Sequence, residues 1–268
     1  MGRLGAHGLT VSALTLGTEL AFERRLQVAA AAGFTGVGIR AQDYLAARRD
    51  GWDDDAMQEA LDGHGLAITE VELLASWAAG ADSTQPDPEE AVLHVARTFH
   101  ADHVNAGQFQ PRPVEEVVQR FAALCDRAPD LRIALEFMPF GGLPDLASAW
   151  EVVRRAERGN AGLLVDAWHW ARAAMGPADL AAVPAEQIIA IQLGDVGEQA
   201  MADLRQETLH HRLPPGTGFG DVRGLVQLLQ GAGVDAPVSV EVMSDELLSH
   251  GPDHAAATVM AAARAVLR

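Results

Sequence analysis

A single (β/α)8 barrel of the α/β class is the fold predicted for this chain, on three observations. Short apolar, β-branched runs alternate eight times with segments of helical period. No Ser/Gly linker, charge block or low-complexity tract breaks the alternation. The 268 residues, 49% of them hydrophobic, suit the length of one barrel and can bury a large core. One domain over 1–268 is therefore expected, and the unbroken alternation favours a closed barrel over a doubly wound open sheet.

In chain order, strands are predicted at 9–16, 36–40, 66–73, 103–106, 132–137, 162–167, 188–193 and 237–242. Between them, Val92, Val95, Ala96 and Phe99 recur at i, i+3, i+4 and i+7, and Val114, Val117, Val118, Phe121, Leu124 and Ala128 continue such a stripe over several turns. An amphipathic helix is expected after each strand. Asp221 and Asp253 are expected N-caps of the last two long helices, and Gly33 and Gly159 expected helix stops. Three connections stand out. After Gln192 a long polar stretch runs through Asp195, Arg205, Glu207, His210, His211 and Arg212 to Pro214-Pro215-Gly216-Thr217-Gly218, and it reads as a functional loop. The segment after Leu74, with Trp77, Asp82 and Gln85, is a second cover for the site. Phe140-Gly141-Gly142-Leu143-Pro144 is a third, its glycines permitting close approach of backbone to a ligand.

Charge and composition exclude several classes. A formal charge of −17 repels phosphate backbones and anionic headgroups, so neither nucleic acid nor a membrane surface is an expected partner. Cys125 is the lone cysteine and cannot pair within the chain, which fits a reducing cytoplasm; on a helix stripe, it reads as core. No stretch approaches a spanning helix, and no secretory signal pattern opens the chain. The expected partner is a small molecule, and a homo-oligomer is among the assemblies the sequence allows.

Four predicted strands run, near their carboxyl ends, into an oxygen-bearing side chain: Glu136, Asp166, Gln192 and Glu241. In a parallel barrel such positions converge on the face that carries catalysis. One acidic strand end can simply be solvated or paired with Arg; four on successive late strands point to a shared task. Three converging carboxylates repel, and protonation or a cation must relieve them. All four groups offer oxygen and none sulfur, which suits one divalent cation, Mn or Mg before Zn. His169, three residues after Asp166, is expected to touch substrate, or else to be a packed histidine beside Trp168 and Trp170. Glu72 and Asn105 also sit late in strands and are read either as pocket lining or as structural. His64, His94, His100 and His103 are expected at the surface, and His210 and His211 as solvated or ligand-touching loop residues. The Pro215–Gly218 turn lacks the Lys-Ser/Thr of a phosphate cradle and reads as loop geometry.

The order Glu136…Asp166-x-x-His169…Gln192…Glu241, with spacings of 30, 26 and 49 residues, resembles the xylose isomerase-like TIM barrels over essentially the whole chain. That superfamily holds sugar phosphate isomerases and epimerases, inosose and 3-dehydroshikimate dehydratases, and an apurinic endonuclease branch. The resemblance implies that Glu136, Asp166, Gln192 and Glu241 hold one divalent cation, with Mn preferred, and that His169 and Arg212 touch the substrate; Glu72 joins them as a substrate contact on its late-strand position alone. The implied reaction is isomerisation or epimerisation of a sugar or polyol ketone through a metal-stabilised enediolate, with Glu136 and Glu241 as acid and base and His169 assisting. If a β-hydroxyl leaves instead, the same apparatus is a dehydratase, and Gln192 in place of the commoner His resembles the 3-dehydroshikimate enzymes. An endonuclease needs further His ligands and less negative charge. A non-catalytic binding barrel is the remaining reading. Epimerases often carry another acid shortly after the Glu136 position, where this chain has Gly141-Gly142.

Overall fold

The computed structural model describes residues 4–6, 8–78 and 89–268; Asp82 and Gln85, expected to cover the site, lie outside them. Eight strands, β1 (Thr10–Val11), β2 (Gly36–Arg40), β3 (Ala67–Leu74), β4 (His103–Ala106), β5 (Ile133–Glu136), β6 (Ala161–Asp166), β7 (Ile188–Leu193) and β8 (Val238–Val240), pair in parallel in chain order. β1 pairs with both β2 and β8 and closes the barrel. Helices follow the strands on the outside, where strand residues such as Val37, Val104, Leu163 and Val238 are buried in one large apolar cluster. Covered on both faces, such strands read as nearly continuous apolar runs.

The barrel seam differs from expectation. The first strand is only two residues long, because from Ala13 to Leu16 the chain winds into a 3-10 turn. Thr15 then stitches the seam: its hydroxyl donates to Val240 O at 3.0 Å and accepts from Val242 N at 2.9 Å. Side-chain bonds thus replace part of the ladder where the strands are short. Gly33 caps the helix Phe22–Ala32 in the left-handed region, and Asp221 caps the helix Val222–Gly231 through Gly224 N, both as expected. Asp253 does not cap its helix; Gly251 does, with Pro252 leading the first turn and Asp253 bonded to Arg24. Glu157, not Gly159, ends the helix Leu146–Ala156.

The long segment after β7 is not loop throughout. Asp203 accepts from Arg205 N and Gln206 N and starts the helix Leu204–His210. That helix lacks an apolar stripe because the residues it buries are Glu207 and Thr208, so helical period alone leaves it unseen. Asp195, 1% exposed, organises what remains: its carboxylate accepts from the backbone N–H of Val196, Gly216, Gly218 and Gly220 at 2.8–2.9 Å. The Pro215–Gly218 turn therefore wraps a buried carboxylate of this chain. The glycines of 140–144 likewise serve packing against the chain itself. Gly142 N donates to Gln108 O at 2.7 Å, and a Cβ on Gly142 would lie 1.8 Å from Gln108 Oε1.

Inside, the barrel is divided. Ala134, Leu164, Ile189 and Ala190 make a small apolar plug on the β5–β7 side. The β1–β4 and β8 side is polar, with Thr10, Ser12, Glu70, Glu72, His103, Asn105 and Ser239 all buried. His103, expected at the surface, points inward from the start of β4 with its Nε2 3.6 Å from Glu70 Oε2. Burial pushes the Glu70 carboxyl up to about 7 against the opposing influence of nearby Ser239, Glu72 and Asn105, although neither Glu70 oxygen has a well-directed hydrogen bond among the described residues. Burial holds the His103 imidazole down to about 4. Gly38 makes room for two stacked acids, since a Cβ there would meet Glu72 Oε1 at 2.7 Å and Glu70 Oε1 at 2.8 Å.

Gly38→Ala is accordingly expected to destabilise the fold by about 1–3 kcal/mol, read by urea denaturation; an unchanged midpoint would mean the acids can move aside. A carboxyl whose pKa rises on folding contributes stability at low pH and loses it as pH climbs from its unfolded value toward the folded one, here from 4.5 to about 7. Glu70→Gln is therefore expected to be more favourable relative to the parent at pH 8 than at pH 4.5, by on the order of 2–3 kcal/mol, in melts with chelator present.

Candidate active site and cation centre

The carboxyl ends of the strands place the acids. Glu136 and Asp166 are the last residues of β5 and β6, Gln192 sits opposite Asp166 across the β6–β7 ladder, and Glu241 follows β8 with its N–H donating to Leu193 O at 2.9 Å. All four are at most 6% exposed. Glu136, Gln192 and Glu241 line one cavity of about 130 Å³ together with Glu72, Asn105, His169 and Arg212. Asp166 lies behind, fully buried. One ligand atom from each of Glu136, Asp166 and His169 falls within 4.8 Å of the others. Glu136, Gln192 and Glu241 thus share one cavity with Asp166 behind it, and the close group of ligand atoms includes an imidazole beside a set read as oxygen only.

Arg212 ties the group together. Its Nη1 is 2.7 Å from Asp166 Oδ2 and 3.0 Å from Glu241 Oε2, while Nε and Nη2 donate to Thr208 Oγ1 at 3.0 and 2.8 Å. The guanidinium carbon stands 5.3 Å from the centre of the Trp168 ring. Asp166 spends its second oxygen on the backbone N–H of His169 at 2.8 Å, which caps the helix Ala167–Arg172 and fixes where His169 points. His169 Nε2 then lies 3.3 Å from Glu136 Oε1, and its Nδ1 is buried with no partner among the described residues. Phe140 and Trp168 flank the imidazole, with ring centres 5.6 and 5.2 Å away.

Glu241 is held on both oxygens, by Ser12 Oγ at 3.2 Å and by Arg212. Burial drives its carboxyl well above the usual range, with Arg212 opposing and Glu72, Asp166 and Glu136 adding to the rise. For Asp166, burial pushes the same way, but Arg212 and His169 outweigh it and hold the carboxyl below its ordinary value. Glu72 is raised to about 8 by burial and by the charge of Glu70, with Ala13 N donating to its Oε1 at 3.0 Å.

Without an ion, Glu241 meets part of the charge imbalance by holding its proton more tightly, but with Glu136, Asp166 and Glu241 all ionised against one buried guanidinium the formal deficit is two positive charges. That is the charge of a divalent cation, and the low-dielectric surroundings make the imbalance costly when it is unmet. The donor set of carboxylate oxygens, one amide and one nearby imidazole fits such an ion. Gln192 strengthens the fit, since no hydrogen bond engages its side chain among the described residues and it faces the cavity. Sequence reading missed Thr208, Ser12 and Phe109. Arg205, Thr208, Leu209 and Arg212 are spaced i, i+3, i+4 and i+7, a helical period that a search for apolar stripes does not register.

Residues 26–268 match the family profile described as xylose isomerase-like TIM barrel. Among curated proteins, the 3-dehydroshikimate dehydratase of Pseudomonas aeruginosa is 34% identical over 116 residues, and that of Pseudomonas putida 28% over 116 residues. Each match covers 43% of this chain and 18% of the relative, so the chain corresponds to less than a fifth of those proteins' length. Among solved structures, the IOLI protein with a binding zinc atom superposes with a TM-score of 0.85 at 21% identity, covering 97% of this chain and 98% of that one. Among the described residues, no helix is long and apolar enough to cross a membrane. With a closed eight-stranded parallel barrel and a profile match over most of its length, the chain belongs to the xylose isomerase-like TIM barrel family.

Proposed function

We propose that this chain is a divalent-cation-dependent lyase that removes water from a small polyhydroxylated ketone, of the 3-dehydroshikimate dehydratase kind. Glu136, Asp166, Gln192 and Glu241 would hold the ion, Mn or Mg before Zn. When bound, the cation supplies Lewis-acid stabilisation of negative charge that develops on adjacent carbonyl and hydroxyl oxygens of the substrate.

The observation that carries this reading is the unequal engagement of the two glutamates first read as an acid/base pair. Epimerisation needs a proton-handling group on each face of the substrate. Glu241 has both oxygens occupied by Ser12 and Arg212, whereas Glu136 pairs with the imidazole of His169 and faces the cavity. One proton-handling couple on one wall suits elimination. The Glu136–His169 couple takes the proton from the carbon beside the carbonyl. The bond to the β-hydroxyl oxygen then breaks with its electron pair, and the couple returns the proton to that oxygen, so water leaves and a conjugated ketone remains. Arg212 keeps Asp166 and Glu241 in place, and the apolar cavity wall, including Met138, Phe140 and Met243, excludes bulk water. The names of the two Pseudomonas relatives, and Gln192 where His is commoner, support the same choice. Sugar isomerisation or epimerisation is the second reading, on the same residues with Glu241 released to act.

Incubation with 3-dehydroshikimate is expected to give a rise in ultraviolet absorbance, while keto-sugars and inososes in heavy water return without deuterium. Label in a recovered ketose, with no new absorbance, would put epimerisation first. Stripping with EDTA is expected to abolish turnover, with Mn²⁺ or Mg²⁺ restoring it better than Zn²⁺. The ion alone, at about 100 times its Kd, is expected to stabilise the protein by about 2.7 kcal/mol in thermal melts; activity indifferent to EDTA would refute the cation. His169→Gln and Glu136→Gln are each expected to lower kcat by roughly 10²–10⁴-fold with smaller changes in KM.

A further inference from the structure

The helix Leu204–His210 crosses the cavity mouth and presents Arg205, Thr208 and Leu209 to it. Arg212, one turn on, is consumed by Asp166, Glu241 and Thr208. Arg205 differs. It is exposed, its guanidinium carbon stands 5.2 Å from the centre of the Phe109 ring, and it pairs with no carboxylate among the described residues. Phe109 lines the same cavity from the β4 side. A cation stacked on an aromatic face keeps its in-plane N–H donors free while losing much of its side-chain mobility. Around it the cavity holds Glu72, Glu136 and Glu241, and the chain carries a charge of −17. Of the two guanidiniums that line the cavity, Arg212 is paired with Asp166 and Glu241, which leaves Arg205 as the one whose charge no carboxylate answers among the described residues.

Resting on the lyase reading for the reacting end, we propose that Arg205, braced by Phe109, is the subsite for an anionic group of the substrate, a carboxylate or a phosphate, held at the mouth while the ketone and hydroxyl reach the cation centre. Arg205 is then a specificity-determining residue that selects acids over neutral polyols of the same size. A planar fork of donors matches either anion in two-point fashion, which Lys, a point charge on a flexible stem, reproduces only in part.

The test compares three probes that each carry two adjacent oxygens: neutral catechol, 3,4-dihydroxybenzoate and dihydroxyacetone phosphate. Their Kd values are measured by calorimetry on Mn²⁺-loaded protein, for the parent, Arg205→Gln and Arg205→Lys. The parent is expected to bind at least one charged probe about 10-fold more tightly than catechol, Arg205→Gln to erase that preference without changing the affinity for catechol, and Arg205→Lys to restore part of it. The charged probe that responds identifies carboxylate or phosphate as the group recognised. A preference that persists in Arg205→Gln, no preference in the parent, or an equal loss for catechol would each overturn the subsite. Should catechol fail to bind in a Mn²⁺-dependent way while a charged probe still binds through Arg205, the cation-centred reading falls and the anion subsite stands.

Discussion

Five carboxyl groups, Glu70, Glu72, Glu136, Asp166 and Glu241, lie inside one barrel with 6% exposure or less, and replacing their lost hydration is the constraint on which the rest of the structure depends. Arg212 meets part of it by lying against Asp166 and Glu241 at once. Breaking such a buried arrangement strands charge in a poor solvent, so the groups that position Arg212 share its importance. These are the hydroxyl of Thr208, the face of Trp168 and, through the helix Leu204–His210, the Arg172–Glu207 pair, with Arg172 Nε donating to Glu207 Oε1 at 2.7 Å. The polar segment after β7 is therefore part of the charge balance of the site as well as its cover.

The acids farther down solve the same problem differently. Glu70 and Glu72 are raised by burial toward or above neutrality, so a neutral carboxyl replaces an unsolvated charge. Gly38 provides the space, and the apolar plug of Ala134, Leu164, Ile189 and Ala190 fills the opposite half. The barrel thus holds raised carboxyls in its interior, while at the mouth Asp166, against Arg212, is held below its ordinary value.

At the mouth, function follows from which oxygens remain free. A strand-end position guarantees convergence but leaves open what each carboxyl does once it arrives. Glu241 is fixed by two partners, Glu136 meets an imidazole, and Gln192 offers an unengaged amide. That asymmetry is what the proposed lyase reading rests on, and it arises from neighbours contributed by the segment after β1, the helix after β6 and the segment after β7. Family membership is compatible with either outcome, since the fold accommodates both chemistries.

The amino-acid sequence by itself determined the eight strands, their closure into a barrel and the four strand ends Glu136, Asp166, Gln192 and Glu241, because apolar periodicity and the carboxyl ends of parallel strands are local signals. Side-chain partnerships were not legible, because they form between residues distant in the chain. Ser12 meets Glu241 across 229 positions, and Arg212 reaches back 46 to Asp166. His103 reads as a surface histidine until β3 sets Glu70 beside it, and Asp253 reads as a cap until Gly251 and Pro252 begin the helix instead. Tertiary structure alone decided which acids are charged, which are neutral and which are held, since protonation and hydrogen bonding depend on burial and on neighbours that only the folded chain brings within reach.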